Sequence, residues 1–233
     1  MELKASKIIV TGGSLGIGKA TAKLLVEKGA SVVITGRHKQ HLEQAARETG
    51  AYPVLADVSK EDDILRTFKE SYGYLNGLHC LINNAGIGWS VPVTELTFND
   101  FQQIYSVNVF GAAIMAKHAA EIFKKQNYGH IINIGSTASK KGYPGGTIYS
   151  SSKFALRGMT ECWRDELRKY NVRVMLINPS EVTTAFGNPD RIERNVESKK
   201  LRSDEIAHAI KSALEMDDRG FTTELEVWAT NPW

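Results

Sequence analysis

Seven short runs of mainly β-branched and aliphatic residues, separated by stretches with helical spacing, constrain this chain more than any other feature. The runs are Lys7 to Thr11, Ser31 to Thr35, Tyr52 to Ala56, Leu78 to Ile82, His130 to Ile134, Val172 to Ile177 and Glu224 to Trp228. A strand that is apolar on successive residues must bury both of its faces, which a parallel sheet flanked by helices allows. In the first intervening stretch Ile17, Ala20, Leu24 and Leu25 share one helical face, and Gly29 stands where a left-handed residue ends a helix. Thr97 and Ser203 precede helical patterns that begin at Phe98 and Asp204, so each is placed to cap free amides. No Pro-rich or Ser-rich hinge, internal repeat or low-complexity tract interrupts this rhythm. The expectation is one doubly wound α/β domain over residues 1–233, with its ligand at the carboxyl ends of the strands.

Composition narrows the function. With 42% hydrophobic and 24% charged residues the chain reads as globular. Its 29 Lys and Arg against 26 Asp and Glu leave a charge of +3, spread along the chain with no basic arm, which argues against nucleic acid as the main partner. No apolar run approaches the roughly 20 residues of a bilayer span, and a strand pattern begins near Met1 without a signal-peptide core, so no membrane partner and a cytoplasmic location are expected. Cys80 and Cys162 lie in apolar segments without Cys-x-x-Cys spacing and are expected to be buried, inert thiols. The six histidines show no metal-ligand spacing, so no metal is expected.

Directly after the first run come Thr11, Gly12, Gly13, Ser14, Leu15, Gly16, Ile17 and Gly18, and a helix opens at once. Between a strand and a helix, glycines permit a tight turn and let a diphosphate approach free N–H groups at the positive end of the helix dipole. On this segment alone, a plain tight turn is the other reading. The spacing Gly-x-x-x-Gly-x-Gly differs from the common Gly-x-Gly-x-x-Gly fingerprint and points to a particular branch of dinucleotide folds.

Asn83, Asn84, Ala85 and Gly86 follow the fourth run, Asn108 lies in the next helical stretch, Ser136 follows the fifth run, and Tyr149 and Lys153 open a helix. With these motifs in this order, the chain resembles the short-chain dehydrogenase/reductase family over nearly its whole length. The resemblance implies a Rossmann-type, seven-stranded parallel sheet of order 3-2-1-4-5-6-7 with helices on both faces, and assembly as a homotetramer or homodimer. It implies that Gly12, Gly16 and Gly18, with Ser14, Leu15 and Ile17 of the same turn, bind the diphosphate side of a nicotinamide cofactor. Asp57 and Val58 would flank the adenine, and Asn83, Ala85 and Gly86 the central part. Pro179, Val182 and Thr184 would meet the nicotinamide carboxamide. Two departures stand out: Ser180 replaces the glycine usual after Pro179, and only 18 residues, Ala185 to Arg202, precede the next helix, a short lid expected to leave the pocket open.

At the end of the second run stand Gly36, Arg37, His38 and Lys39, where an acid would favour a free ribose 2′-hydroxyl. Arg37 instead suits a 2′-phosphate, with Lys39 as a second charge, and the expected cofactor is NADP(H). Leu15 is a counter-signal, because many NADP-dependent relatives carry a basic residue there.

Hydride transfer to a carbonyl leaves charge on oxygen, which a placed donor must protonate. Tyr149 and Lys153, four apart on one helical face, suit this, since a nearby cation lowers a phenol's pKa. Ser136 is placed to polarise the carbonyl, although a strand-end cap is its bland alternative. By resemblance, Lys153 also binds the nicotinamide ribose, and Asn108 holds a water that relays protons to it. Ser136 sits in no Gly-x-Ser-x-Gly elbow, which argues against a serine hydrolase.

Ile87, Gly88, Trp89, Tyr143, Glu181 and Phe186 are candidates for a partly apolar substrate pocket, or equally for loop packing. The expected function is NADPH-dependent reduction of a ketone or aldehyde, most like 3-oxoacyl-(acyl-carrier-protein) reductases. The alternatives are a reductase of a small sugar, steroid, pterin or xenobiotic ketone, and a non-catalytic cofactor sensor. Phe110, Ile114, Trp163 and Leu167 are expected to supply apolar surface for subunit contact, with some of it facing the sheet instead. The basic pairs Lys124–Lys125 and Arg168–Lys169 are candidates for docking an acidic acyl carrier protein beside the site, or else solvated helix ends.

Overall fold

The computed structural model describes residues 1–188, 190–195 and 197–232. Among these the strands are β1 (Lys7–Val10), β2 (Ser31–Gly36), β3 (Tyr52–Leu55), β4 (Cys80–Asn83), β5 (Gly129–Ile134), β6 (Val172–Pro179) and β7 (Glu224–Val227). They form one parallel sheet in the order β3-β2-β1-β4-β5-β6-β7, as the family resemblance implies. The helices are α1 (Gly16–Glu27), α2 (Lys39–Thr49), α3 (Glu61–Leu75), α4 (Phe98–Tyr105), α5 (Ala112–Gln126), α6 (Thr147–Leu167) and α7 (Ser203–Glu215).

Side chains alternate across a strand, so consecutive apolar residues feed two separate cores. Ile8, Val10, Val32, Ile34, Cys80 and Ile82 face one way and pack with Leu25 of α1, Leu42 of α2 and Ile206 and Ile210 of α7. Ile9, Val33, Leu81, Ile131 and Val174 face the other, against Ile64 of α3, Met115 and Phe123 of α5 and Leu167 of α6. The register aligns Val10 with Ile34 on one side and Ile82 on the other. Successive connections leave β1 toward β2 and later return to β4 beyond it, so the strand order reverses between β1 and β4 and leaves a crevice at their carboxyl ends.

Three local expectations are corrected. Helix α1 buries Gly18, Thr21, Ala22 and Leu25 instead of the face through Ile17, Ala20 and Leu24. It packs on the sheet side by side with α7, where small side chains allow close approach. The residue before α7 is Arg202, whose N–H donates to Glu205 Oε2 at 2.7 Å, so Ser203 is already helical. Cys80 is buried but Cys162 is exposed. Helix α6 buries Ile148, Ser152, Leu156 and Thr160 at four-residue spacing, and Cys162 lies two positions past that row, on the outer side. Leu167 is the one of the four expected apolar-surface residues that is buried in the core, while Phe110 is exposed.

Between α4 and α5 the helix continues through a π-helical turn, Ser106–Gly111. Thr97 caps α4 as predicted: its Oγ1 accepts Asp100 N–H at 3.1 Å while Thr97 N–H donates to Asp100 Oδ2 at 3.3 Å. Among the described residues no helix is long and apolar enough to cross a membrane.

Candidate active site

A cavity of about 1080 Å³ opens at the carboxyl ends of the strands. Its floor is the glycine turn. Gly12 has φ of +64°, and a Cβ there would lie 2.9 Å from Ala85 Cα. A Cβ on Gly18 would come within 2.3 Å of the Gly12 carbonyl oxygen, so this position serves close packing of α1 on the turn. Asn84, part of the motif but assigned no role from the sequence, clasps β1 to β4. Its Nδ2 donates to the carbonyls of Thr11 and Gly12 at 2.9 and 3.0 Å, while Thr11 Oγ1 accepts the N–H groups of Asn84 and Ala85, each at 3.0 Å.

Gly16 N–H, at the start of α1, donates to Glu193 Oε1 at 2.9 Å. A carboxylate oxygen there stands where the helix dipole and free amide favour a phosphate oxygen. With the space above Gly12 and the length of the cavity, this observation fits a dinucleotide diphosphate.

Most candidate cofactor residues line the cavity. Ser14, Leu15, Gly16 and Ile17 border its diphosphate side, Arg37, Asp57 and Val58 one end, and Ala85 and Gly86 the middle. Pro179, Val182 and Thr184 border the other end. Asp57 Oδ1 accepts the N–H and hydroxyl of Ser59 at 3.0 and 2.7 Å, which fixes the loop after β3. Gly18 and Asn83 stand outside the lining. The Asn83 amide donates to Ala112 O at 3.2 Å and to Asn133 Oδ1 at 3.0 Å, and Asn133 Nδ2 donates to Thr160 Oγ1 at 2.8 Å, a chain that fastens β4 and β5 to α5 and α6. Ser180, in place of the usual glycine, needs no left-handed backbone: its N–H donates to Val227 O at 2.8 Å and continues the pairing of β6 with β7.

The short segment after Thr184 borders the cavity through Phe186, Arg191 and Arg194 and leaves it open to the outside. Arg194 Nε and Nη2 donate to the carbonyls of Thr184 and Val182, both at 3.1 Å, and so draw the segment back onto the end of β6.

Tyr149, Lys153 and Ser136 meet in the cavity wall. Lys153 Nζ donates to Ile134 O at 2.9 Å and lies 5.8 Å from the centre of the Tyr149 ring. Burial brings the Lys153 ammonium down to about 8. Burial also pushes the Tyr149 hydroxyl up to about 12, with a hydrogen bond to Ser136 acting in the opposite direction. The lowering expected from a neighbouring lysine is not seen: loss of water dominates, and Tyr149 keeps its proton. Ser136 holds both of its expected places: it borders the cavity, and its Oγ accepts Ala138 N–H at 3.1 Å as a cap. Its own N–H donates to Asn178 Oδ1 and Ser139 Oγ, each at 3.1 Å. Asn178 and Ser139 are supports with no local motif to mark them.

Asn108 is buried in the π-helical turn and does not border the cavity. Its Oδ1 accepts Ile87 N–H at 2.9 Å, and its Nδ2 donates to Ile87 O at 2.8 Å and to Ser152 Oγ at 3.0 Å. It therefore holds the loop after β4 against α6.

All six substrate-pocket candidates, Ile87, Gly88, Trp89, Tyr143, Glu181 and Phe186, border the cavity. The Tyr149 and Phe186 ring centres are 5.5 Å apart. Lys140, Glu226 and Trp228 join this wall without having been marked by a motif; Lys140 pairs with Glu226 and, at 3.2 Å, with Glu224. The two basic pairs do approach each other, since Lys124 and Lys169 flank the Tyr170 ring at 5.0 and 5.3 Å. They lie at the opposite end of α6 from Tyr149, and at 1.5 Å per residue this helix is about 30 Å long. They are therefore not beside the cavity mouth.

Fold and site together define a dinucleotide-dependent oxidoreductase. Residues 6–195 match the family model described as short chain dehydrogenase, and the chain belongs to that family; it is an NAD(P)-dependent oxidoreductase. It is 38% identical over 176 residues to carbonyl reductase family member 4 of Xenopus laevis, covering 75% of each chain. Its fold is similar to 3-ketoacyl-(acyl-carrier-protein) reductase from Brucella melitensis complexed with NADH, with TM-score 0.89 and 27% identity over 99% of this chain and 100% of that one. It is also similar to a metagenomic short-chain oxidoreductase in complex with NADP, with TM-score 0.83 and 29% identity over 97% and 98% of the two chains.

Proposed function

We propose that this protein is an NADPH-dependent carbonyl reductase in which Tyr149 donates the proton. The observation that carries the reading is the meeting of Tyr149, Lys153 and Ser136 in one cavity wall, with the tyrosine kept protonated by burial. The nicotinamide, when bound, supplies the hydride. Ser136 orients the carbonyl oxygen toward Tyr149, whose hydroxyl gives up its proton as charge develops on that oxygen. The buried Lys153 ammonium stabilises the resulting phenolate and binds the ribose. Asn108 keeps the loop that carries Ile87 and Gly88 in place. Arg37, without an acid beside it, supports NADP(H) over NAD(H).

The aromatic wall of Trp89, Tyr143 and Phe186 favours a partly apolar ketone, and a 3-oxoacyl thioester is the first candidate. Resemblance to a ketoacyl reductase and to a carbonyl reductase supports both this substrate and a small soluble ketone. Oxidation of NADPH and of NADH, measured against a ketone panel and an acyl-carrier thioester, tests the reading. Higher kcat/KM with NADPH is expected, as is loss of most turnover in Tyr149→Phe with cofactor affinity nearly intact. Parental kcat in that variant sinks the mechanism, and a carrier thioester no better than its small ketoester analogue removes the carrier protein as a partner.

A further inference from the structure

Two arginines face the same end of the cavity from opposite parts of the chain. Arg37 follows β2, and Arg191 belongs to the segment between Thr184 and α7; both border the cavity with His38. Arg191 is held there by a turn built on Asn188. Its N–H donates to Asn188 O at 3.1 Å, Asn188 Oδ1 accepts Asp190 N–H at 2.9 Å, and Asn188 Nδ2 donates to Ile192 O at 3.1 Å. Arg191 itself has φ of +57°, a left-handed conformation that a non-glycine residue adopts only where its surroundings impose it.

The guanidinium held by this turn lacks a counter-ion. Its Nε is buried and has no hydrogen-bond partner, and among the described residues no carboxylate pairs with Arg191 or Arg37. Glu181 pairs with Arg194 and Lys200, and Asp57, which accepts from Ser59, bears on His38 and forms no ion pair with either arginine. Burial and the Arg37 charge hold Arg191 below the usual arginine range, and burial followed by the Arg37 and Arg191 charges lowers His38. Two neighbouring cations, one of them with a buried, unused donor, are unfavourable until an anion lies between them, and a phosphomonoester offers several acceptor oxygens at once. The adjoining residues fix which phosphate fits, since Gly36 and Ser14 border the same end, beside the diphosphate turn.

We infer that Arg191 joins Arg37 and His38 in a phosphomonoester subsite for the 2′-phosphate of NADPH, so that a lid residue supplies the second cation that Leu15 cannot. This rests on the NADP(H) reading above. The same lid segment also reaches the diphosphate turn through Glu193, which places it over the whole adenosine end.

The test is equilibrium titration of the full chain with NADPH and NADH, using nicotinamide fluorescence, for the parent, Arg191→Gln, Arg191→Lys and Arg37→Gln. Circular dichroism checks that each variant is folded. Arg191→Gln should raise the Kd for NADPH about tenfold or more while leaving that for NADH within about twofold, with Arg191→Lys in between. Competition with adenosine 2′,5′-bisphosphate should weaken in step, and competition with the 3′,5′ isomer should not. If the parent prefers NADPH and Arg37→Gln abolishes that preference while Arg191→Gln leaves it intact, the inference is overturned and the cofactor reading stands. Equal weakening of NADPH and NADH also overturns it, as does a response confined to the 3′,5′ isomer. A parent that binds NADH more tightly overturns the cofactor reading and this inference together.

Discussion

Gly88 is a glycine because the Tyr149 ring occupies the place of its side chain: a Cβ there would lie 2.4 Å from Tyr149 Cδ2 and 3.1 Å from the Phe186 ring. Gly88→Ala should therefore displace the tyrosine. An error of about 1 Å in a reacting group costs roughly a hundredfold, so kcat should fall by that order while nicotinamide-cofactor affinity holds. Steady-state kinetics beside a cofactor titration checks the split. The titrations of the two groups point the same way. Tyr149 keeps its proton up to about 12, whereas Lys153 loses its charge as pH rises through about 8. In the free enzyme kcat/KM for reduction should accordingly fall above about pH 8, and a pH profile with no step below 10 contradicts that assignment. Tyr149, Lys153 and Ser136 were legible because their chemistry is written at short, fixed intervals in known order. The closeness of Gly88 to Tyr149, the Asn84 clasp and the Asn178 support were not, because each depends on a contact between residues far apart in the chain.

Strands were legible from apolar runs, and their ends fall within a residue or two of the expected limits. Helix faces and caps were less so. The larger apolar residues of α1 suggested one face, but space against α7 favours the face with Gly18 and Ala22. Thr97 was legible as a cap because its partner Asp100 stands three residues on, and Thr97→Ala should cost about 1 kcal/mol in urea unfolding with m unchanged. The π-helical turn had no local signature at all. It inserts into an otherwise continuous helix and turns the Asn108 amide onto Ile87, a placement made by the loop after β4 and by α6.

Stability of the whole molecule should respond to pH through His130. Its Nδ1 accepts from Arg173 Nε at 3.0 Å, and burial with the Arg173 charge pushes its pKa down to about 2. Between that value and the ordinary 6.5 the unfolded chain binds the extra proton, so stability rises with pH and is lost as pH falls below 6.5. The slope from this one group is at most about 1.4 kcal/mol per pH unit. Unfolding midpoints between pH 7 and 5 should show it, and His130→Gln should flatten it. Outside the core, Phe98, Phe110 and Phe154 remain exposed on α4, the π-helical turn and α6. A homotetramer or homodimer that covers them is expected by light scattering, and a monomer across a wide concentration range refutes it. The contact of Gly16 with Glu193 joins positions 177 apart, and that of Asn84 with Thr11 joins positions 73 apart. Loops of that length must close before the cofactor cleft is complete, and the longer of them joins the glycine turn to the segment after β6 only when both halves of the chain have met. Cofactor therefore acts as a late clamp on assembly: present at 100 times its Kd, it adds about 2.7 kcal/mol to the finished fold alone.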